Sequence, residues 1–565
     1  MPIYDTLIRG GTIIDGLRTP RYTADLAVSE GRIAAIGRVD SSQARKVIDA
    51  DGLIVAPGFV DLHTHYDSQV YWDPYCTISG WHGVTSAVIG NCGFGFAPVK
   101  PEDRDRAMLT MSRNEAVPLE SMQEGMPWDW ETYPEFLDSI DRTAKGINLM
   151  SYMPLNPLLM YVMGLEAAKS RPANPDEMRR MQSLMREGLA AGGCGWSAQL
   201  GTKAEVQRDY DGSFMITNTM AEADLLVFAG VLRELGRGFI QCIGASQEIT
   251  ERLAEVSGRP VIWNVLAQFT DQHGVAMPAY RDTMAWLESA NERGLRVFGQ
   301  ALTTENDFQF TFEDWNLFDN SDVWREATLG SVEERARKFR DPERRERLKA
   351  EFDHSRGAGV VFALDKLVIG EVHRESLARY EGWTVGEIAR ERACHPIDAL
   401  LDLALEDDMK ALFVTEPRPI DVHAMRELIN SPFALPGVSD GGAHTKFITL
   451  GRYPTEFLAL LVRDNELMDL EQAHWRLSAY PALAAGIRDR GWLREGAPAD
   501  IVVYDLDALS TGTTEKAWDF PADAWRLVRK PDGYRHILVN GEVTFRDNEC
   551  TGAVPGRLLR HGRAA

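Results

Sequence analysis

Residues 175–199, PDEMRRMQSLMREGLAAGGCGWSAQ, hold the unit from which the fold is read. Met178, Met181, Leu184, Met185 and Leu189 recur at helical spacing, the pattern stops at Gly192-Gly193, and a short apolar run follows. The unit repeats along the middle of the chain. AEADLLVFAGVLRELG (221–236) precedes FIQCIGA (239–245), and YRDTMAWLESANERG (280–294) precedes LRVFGQAL (295–302). Further on, VGEIARERACHPIDALLDLALEDD (385–408) leads into KALFVTE (410–416), and DVHAMRELINSP (421–432) into FALPGVSD (433–440). Helices alternating with short apolar strands mean a parallel sheet with helical crossovers. So many units favour a closed (β/α)8 barrel over a doubly wound open sheet.

The two ends have a different rhythm. YDTLIRGGTIIDG (4–16) predicts a turn at Gly10-Gly11 between alternating apolar positions, and DLAVSEGRIAAIG (25–37) a second at Glu30-Gly31. ADIVVYDLD (499–507) and YRHILVNGEVTF (534–545), with its turn at Asn540-Gly541, repeat that style. The expected layout is one small β-sandwich built from residues 1–56 and 486–565 around a barrel spanning 57–485. Two insertions break the barrel pattern, near 99–145 and 303–357. The second carries Phe308, Phe310, Phe312, Trp315, Phe318 and Trp324, to be read as a packed cap, a contact in a homo-oligomer, or a lid over an apolar pocket. The charged run at 331–352 reads as a solvated helix face.

Composition narrows the function. The 565 residues include 61 Lys+Arg and 84 Asp+Glu, a net charge of −23, which disfavours nucleic acid and anionic lipid as partners. No run is long and apolar enough for a bilayer, and MPIYDTLIRGGTIIDG lacks the pattern of a signal peptide. Six cysteines without a CxxC pair point away from a disulfide scaffold or zinc ribbon, so the expected location is the cytoplasm.

Three stretches carry chemistry. In VAPGFVDLHTHYDSQ (55–69), strand alternation puts His63 and His65 on one side and Thr64 on the other. Two imidazoles at a strand's C-terminal end can ligate one metal ion; the alternative is a satisfied core pair. In FALPGVSDGGAHTKF (433–447), Asp440 ends the apolar run of the last barrel strand, where barrel chemistry takes place. Taken alone it serves equally as a helix N-cap. His444 follows four residues later and is a substrate contact or a surface-loop residue. In HGVTSAVIGNCGFGFAP (82–98), Cys92 closes a strand inside a glycine-rich turn, as a buried structural thiol or as a thiolate ligand.

Together with VMG of YVMGLE (161–166), and with DRGWLREGAPADIVVYD (489–505), these motifs resemble the amidohydrolase superfamily, in its D-aminoacylase (N-acyl-D-amino-acid deacylase) branch. The resemblance runs over essentially the whole chain. It implies a metal-dependent (β/α)8 barrel with a β-sandwich from both termini, and hydrolysis of C–N bonds. It implies that His63, His65 and Cys92 are ligands of one or two divalent ions, with Zn2+ expected, and that Asp440 is the catalytic carboxylate beside the metal and itself a ligand. The family's histidines at the ends of the fifth and sixth strands are missing here, where GRGFIQCIGAS (236–246) and RPVIWNVLAQFTDQ (259–272) stand. His273, the nearest, reads as a loop residue, no lysine stands at a strand end, and Asn156 occupies a position where the branch often has histidine. The expected site is therefore mononuclear, through His63, His65 and Asp440, or built with unusual ligands. The expected substrate is a linear amide, an N-acyl-amino acid with an apolar acyl group, with Arg208 as a candidate clamp for its carboxylate. The alternatives are a cyclic amide or urea hydrolase, and a catalytically silent binding homologue.

Overall fold

The computed structural model describes residues 3–562, except 202–206, 269–278, 306–307, 315–317, 319–320, 355–359 and 416–419. Eight parallel strands form the barrel: β1 (Phe59–Asp61), β2 (Val84–Ile89), β3 (Asn148–Ser151, continued past Tyr152 by Met153–Pro154), β4 (Gly195–Gln199), β5 (Phe239–Ile243), β6 (Val261–Leu266), β7 (Val297–Leu302) and β8 (Ala434–Gly437). The first half of β3 pairs with β2 and the second with β4, so the break at Tyr152 turns the strand around the barrel. The ring closes just past β1 and β8, where Thr64 bridges Gly441 and the His65 N–H donates to the Gly441 carbonyl at 2.6 Å. Every residue of β2 is buried, as expected of a parallel strand with helices outside and packed side chains inside.

The helix of the opening unit runs over Pro175–Ala191. Asn174 caps it, with Glu177 completing a capping box, and Gly192 ends it at φ +124°. Met181, Leu184, Met185 and Leu189 are buried as predicted, while Met178 is half-buried at the edge.

Both termini share one mixed sheet of nine strands, joined where Ile54–Pro57 pairs antiparallel with Ile501–Tyr504. It encloses Ile8, Leu26, Ile33, Val55, Ile501 and Leu538 in one apolar core. The turns at Glu30-Gly31 and Asn540-Gly541 form where expected, all four residues having positive φ. Gly10-Gly11 is different. Tyr4–Ile13 is one continuous strand, and the pair sits in a β-bulge between Ile8 and Gly11. A Cβ on Gly11 would lie 2.4 Å from Val55 Cγ2, so this glycine serves close strand packing rather than chain reversal.

The second insertion extends further than its composition suggested. KALFVTE, expected as a barrel strand, instead contributes Leu412–Val414 to a small antiparallel sheet with Gln309–Phe310 and Val368–Glu371. A separate core of Phe310, Phe312, Phe318, Trp324, Phe339 and Phe413 holds this unit together, which makes the aromatic cluster a packed cap. Trp315 lies outside the described residues. Phe308 is separate, stacked on Phe447 at 6.5 Å between centroids. No helix of the described residues is long and apolar enough to cross a membrane.

Two buried histidines stitch the barrel to the terminal strands. His82 Nδ1 lies 2.7 Å from Thr455 Oγ1 and its Nε2 2.8 Å from the Arg529 carbonyl, while His474 Nε2 lies 2.7 Å from the Tyr504 hydroxyl. Burial pushes both imidazoles down to about 3. A depressed histidine stabilises the fold fully above its unfolded pKa of about 6.5 and progressively less as the pH falls toward the folded value. Melting temperature is therefore expected to fall steadily on acidification from pH 6.5 to 4, and His82→Gln to flatten that slope; equal slopes in the two proteins would contradict the assignment.

Candidate metal centre

The chain leaves β1 still extended, so His63 and His65 face one way with ring centroids 5.5 Å apart. Thr64 faces the other way, its hydroxyl donating to the Val88 carbonyl on β2 at 2.9 Å. Ser439, just past β8, donates to the His63 carbonyl at 2.9 Å and pins the two chain ends together. Asp61 accepts the His63 N–H at 3.1 Å, and burial pushes its carboxyl up to about 6.

Cys92 follows β2 in the left-handed region at φ +56°, and its Sγ lies 3.3 Å from His63 Nε2. Ligand atoms of His63, His65 and Cys92 all fall within 4.8 Å of one another. Two imidazoles and a thiol at this spacing suit a borderline divalent ion. Burial pushes the Cys92 thiol well above its usual range, and the Glu115 and Asp440 carboxylates push it further. Such a sulfur becomes a thiolate only against a cation, which is how a metal would fit this donor set. Burial, reinforced by His63, pulls His65 down to about 3, the neutral state a ligand needs.

Asp440 meets the imidazoles from the other side of the closure. Its Oδ1 lies 3.1 Å from His63 Nε2 and 3.9 Å from His65 Nε2. Burial works against its charge, but the hydrogen bond from His63 and the charges of His63, His444 and His65 outweigh burial and hold the carboxyl below its usual range. His444 joins the cluster, with Nε2 3.7 Å from Asp440 Oδ2. Cys92, Asp440 and His444 all have positive φ, a backbone cost that clusters where side chains are held for function. Arg208 stands on the loop after β4 with its guanidinium 3.7 Å from the Phe214 ring centroid. Asn156 clamps the turn beyond Cys92, donating to the Gly93 carbonyl at 2.9 Å and accepting the Thr217 N–H at 3.1 Å. His273 lies outside the described residues.

Two parts of the site escaped the sequence reading. Glu115 ends the helix α1 (Arg104–Glu115) of the first insertion and is buried between His65 and His444, its Oε2 3.9 and 3.5 Å from their Nε2 atoms. Burial, then Asp440 and Asp67, push this carboxyl well up. Nothing local marks it, since a glutamate at a helix end inside an insertion is ordinary. The second part is a ladder of buried amides across β5, β6 and β7. Gln300 on β7 accepts from Asn264 on β6 at 2.9 Å, Asn264 accepts from Gln241 on β5 at 2.9 Å, and Gln241 accepts the Cys92 N–H at 2.8 Å. A signal existed here: FIQCI, VIWNVL and VFGQAL each hold one polar residue inside an apolar strand.

Beside the Cys92 turn lies a mainly apolar cleft, lined among others by Phe94, Met111, Met160, Met215 and Ile216. Met111 precedes Glu115 by one turn of α1, so one helix face borders both the cleft and the imidazoles.

The profile of the Amidohydrolase family matches residues 46–545. The chain belongs to the amidohydrolase family. As a member it is a metal-dependent hydrolase acting on C–N bonds. It is 27% identical to an N-acyl-D-glutamate deacylase and 24% identical to a D-aminoacylase, both of Alcaligenes xylosoxydans xylosoxydans. These alignments cover 98% of this chain and 96% and 97% of the relatives. The crystal structure of an N-acyl-D-glutamate deacylase from Bordetella bronchiseptica, complexed with zinc and a phosphonate mimic of the tetrahedral intermediate, shares the fold. Its TM-score is 0.65 at 24% identity, over 99% of each chain. Within this amidohydrolase the three-amide ladder occupies strands β5 to β7, so one metal site, His63/His65/Cys92, is supported.

Gln241→Leu is expected to strip the Cys92 N–H of its buried acceptor, costing about 1–3 kcal/mol. Denaturant unfolding checks the loss, and unchanged stability would show that the ladder does not carry the turn.

Proposed function

We propose that the chain is a Zn2+-dependent deacylase that cleaves the linear amide of an N-acyl-amino acid carrying an apolar acyl group. The observation behind this reading is the convergence of His63, His65 and Cys92 within 4.8 Å, with the Asp440 carboxylate 3.1 Å from His63. Zn2+ held there would polarise the amide carbonyl and lower the pKa of the attacking water.

Asp440 is the group that moves protons. Its side chain is 17% exposed and stays ionised beside three imidazoles, so it can take a proton from water entering the barrel mouth. An amide nitrogen leaves poorly until it is protonated, and the same carboxyl can return the proton to it. One group thus serves as base and then as acid. His444, 14% exposed beside Asp440, is positioned to donate to the bound substrate, and Arg208 is the candidate clamp for the amino-acid carboxylate.

The apolar acyl group is assigned to the cleft lined by Met111, Met160, Met215 and Ile216, a role the aromatic insertion cannot fill because its rings pack on one another. The D-amino-acid specificity of the similar deacylases favours the D configuration, and the zinc of the Bordetella complex favours Zn2+.

Asp440→Asn is expected to lower turnover about 10²–10⁴-fold, with melting temperature and bound metal nearly unchanged. Near-normal turnover in that variant would remove Asp440 from the chemistry. Substrate class is read by assaying N-acyl-D- and N-acyl-L-amino acids, aryl amides and cyclic ureas with and without a chelator. Chelator-sensitive cleavage of N-acyl-amino acids is expected, while cleavage of cyclic ureas alone, or of nothing, would overturn the deacylase reading. Met215→Trp is expected to lower kcat/KM for long apolar acyl groups more than for acetyl; equal losses would detach the cleft from the substrate.

A further inference from the structure

The backbone just past β8 is costly to maintain. Val438, Asp440, Gly442 and His444, every second residue, lie in the left-handed region at φ +57°, +45°, +86° and +56°. Three of these four carry a Cβ, for which that conformation is unfavourable, so residues 438–447 keep it only while their surroundings hold them. Three distant parts of the chain do the holding. From α1, the Glu115 carbonyl accepts the His444 N–H, and the Ala116 carbonyl accepts the Thr445 hydroxyl at 3.0 Å. From the C-terminal part, the hairpin of Thr514–Phe520 and Ala524–Arg529 gives the Leu527 N–H to the Thr445 carbonyl at 2.6 Å. From the cap, the Gln309 N–H donates to the Phe447 carbonyl at 3.0 Å, and the Phe447 ring packs on that of His444 at 4.6 Å between centroids.

Lys446 meets two of these three parts at once. Its ammonium lies 2.9 Å from each oxygen of Asp314 in the cap and 5.0 Å from the centroid of the Trp525 ring in the hairpin. Lys516 reaches the same ring at 5.0 Å and pairs with Glu371 of the cap, so the ring is shared by two lysines that each hold a cap carboxylate. Such cation–ring contacts favour a fixed place for the ammonium. The Lys446 side chain is 15% exposed and that of Asp314 30%, and a partly exposed ion pair adds little to global stability. Its effect is local: it fixes the spacing of cap, loop and hairpin.

We propose that Lys446 is a positioning residue, which locks residues 438–447 between the cap and the hairpin and so holds Asp440 and His444 in register with the imidazoles of His63 and His65. The second insertion then acts on the reaction without touching substrate, through the Asp314–Lys446 pair. The inference rests on reading Asp440 and His444 as the groups that meet water and substrate. No residue of 438–447 lines the apolar cleft, so a loosened loop disturbs proton transfer while the acyl group keeps its seat. The signature of that role is a fall in kcat at nearly constant KM.

Full-length Lys446→Met, Asp314→Asn and the double variant are compared with the unsubstituted protein, using the N-acyl-amino acid cleaved fastest in the panel above, with thermal melts to check folding. In both single variants kcat is expected to fall about 10–100-fold, the cost of a misplacement on the order of 1 Å, with KM nearly unchanged. The double variant should lose no more than Lys446→Met, since both changes remove one link. Lys446→Arg, which keeps the charge and the ring contact, should recover most of the rate. Arg392→Met, which breaks the Arg392–Glu406 pair inside the cap, should leave kcat unchanged; an equal fall there would assign the effect to a weakened cap and overturn the proposal. A rise in KM at constant kcat would also overturn it. Backbone hydrogen exchange needs no substrate, and it is expected to quicken within 438–447 in Lys446→Met and Asp314→Asn but not in the helix Pro175–Ala191. Unchanged exchange in the loop, or quicker exchange with normal kcat, would sink the positioning role. Quicker exchange confined to the loop, in a protein that cleaves none of the amides, would support the anchoring by Lys446 and count against the deacylase reading alone.

Discussion

The barrel closes and the reactive groups meet at the same seam. The hydrogen bond from the His65 N–H to the Gly441 carbonyl, and that from Ser439 to the His63 carbonyl, join the start of the cylinder to its end. They leave the two imidazoles opposite Asp440, 376 residues apart in sequence from His63 to Ser439 but adjacent in space. A shift of one residue in this pairing would turn His63 and His65 toward β2 and Thr64 toward the carboxylate. Closure therefore serves both the packing of the parallel sheet and the chemistry at its mouth.

Around that seam, polar groups are used for two ends. On one side Gln241, Asn264 and Gln300 satisfy each other across three neighbouring strands and finish on the Cys92 backbone, which fixes the turn that aims the sulfur. Neutral amides can be buried there because each of the three links joins a donor to an acceptor. On the other side Glu115, Asp440 and His444 bring charge close together with longer spacings. The first arrangement stiffens the turn, and the second keeps carboxylate oxygens facing the imidazoles.

The two insertions divide their work. The first sends α1 across the mouth, with Glu115 on the imidazoles and Met111 on the apolar cleft. The second keeps its aromatic rings to itself, with Phe312 packed against Phe318, Trp324, Phe339 and Phe413. Aromatic content alone would have assigned the pocket to the wrong insertion.

Local periodicity was enough to identify helices, strands and the barrel, because burial of one helix face and of whole parallel strands leaves a mark within each segment. The side-by-side placement of His63 and His65 was legible for the same reason, since alternation along a strand is a local property. The bulge at Gly10-Gly11 was not, because the reason for a glycine there is Val55, a neighbour from another strand. Nor was the fate of KALFVTE, since a helix followed by a strand looks alike whether the strand enters a barrel or a separate sheet. Glu115 and the amide ladder depend wholly on which distant surfaces come together. Charge and hydrogen bonding act through space over a few ångströms, and only the folded chain sets those distances.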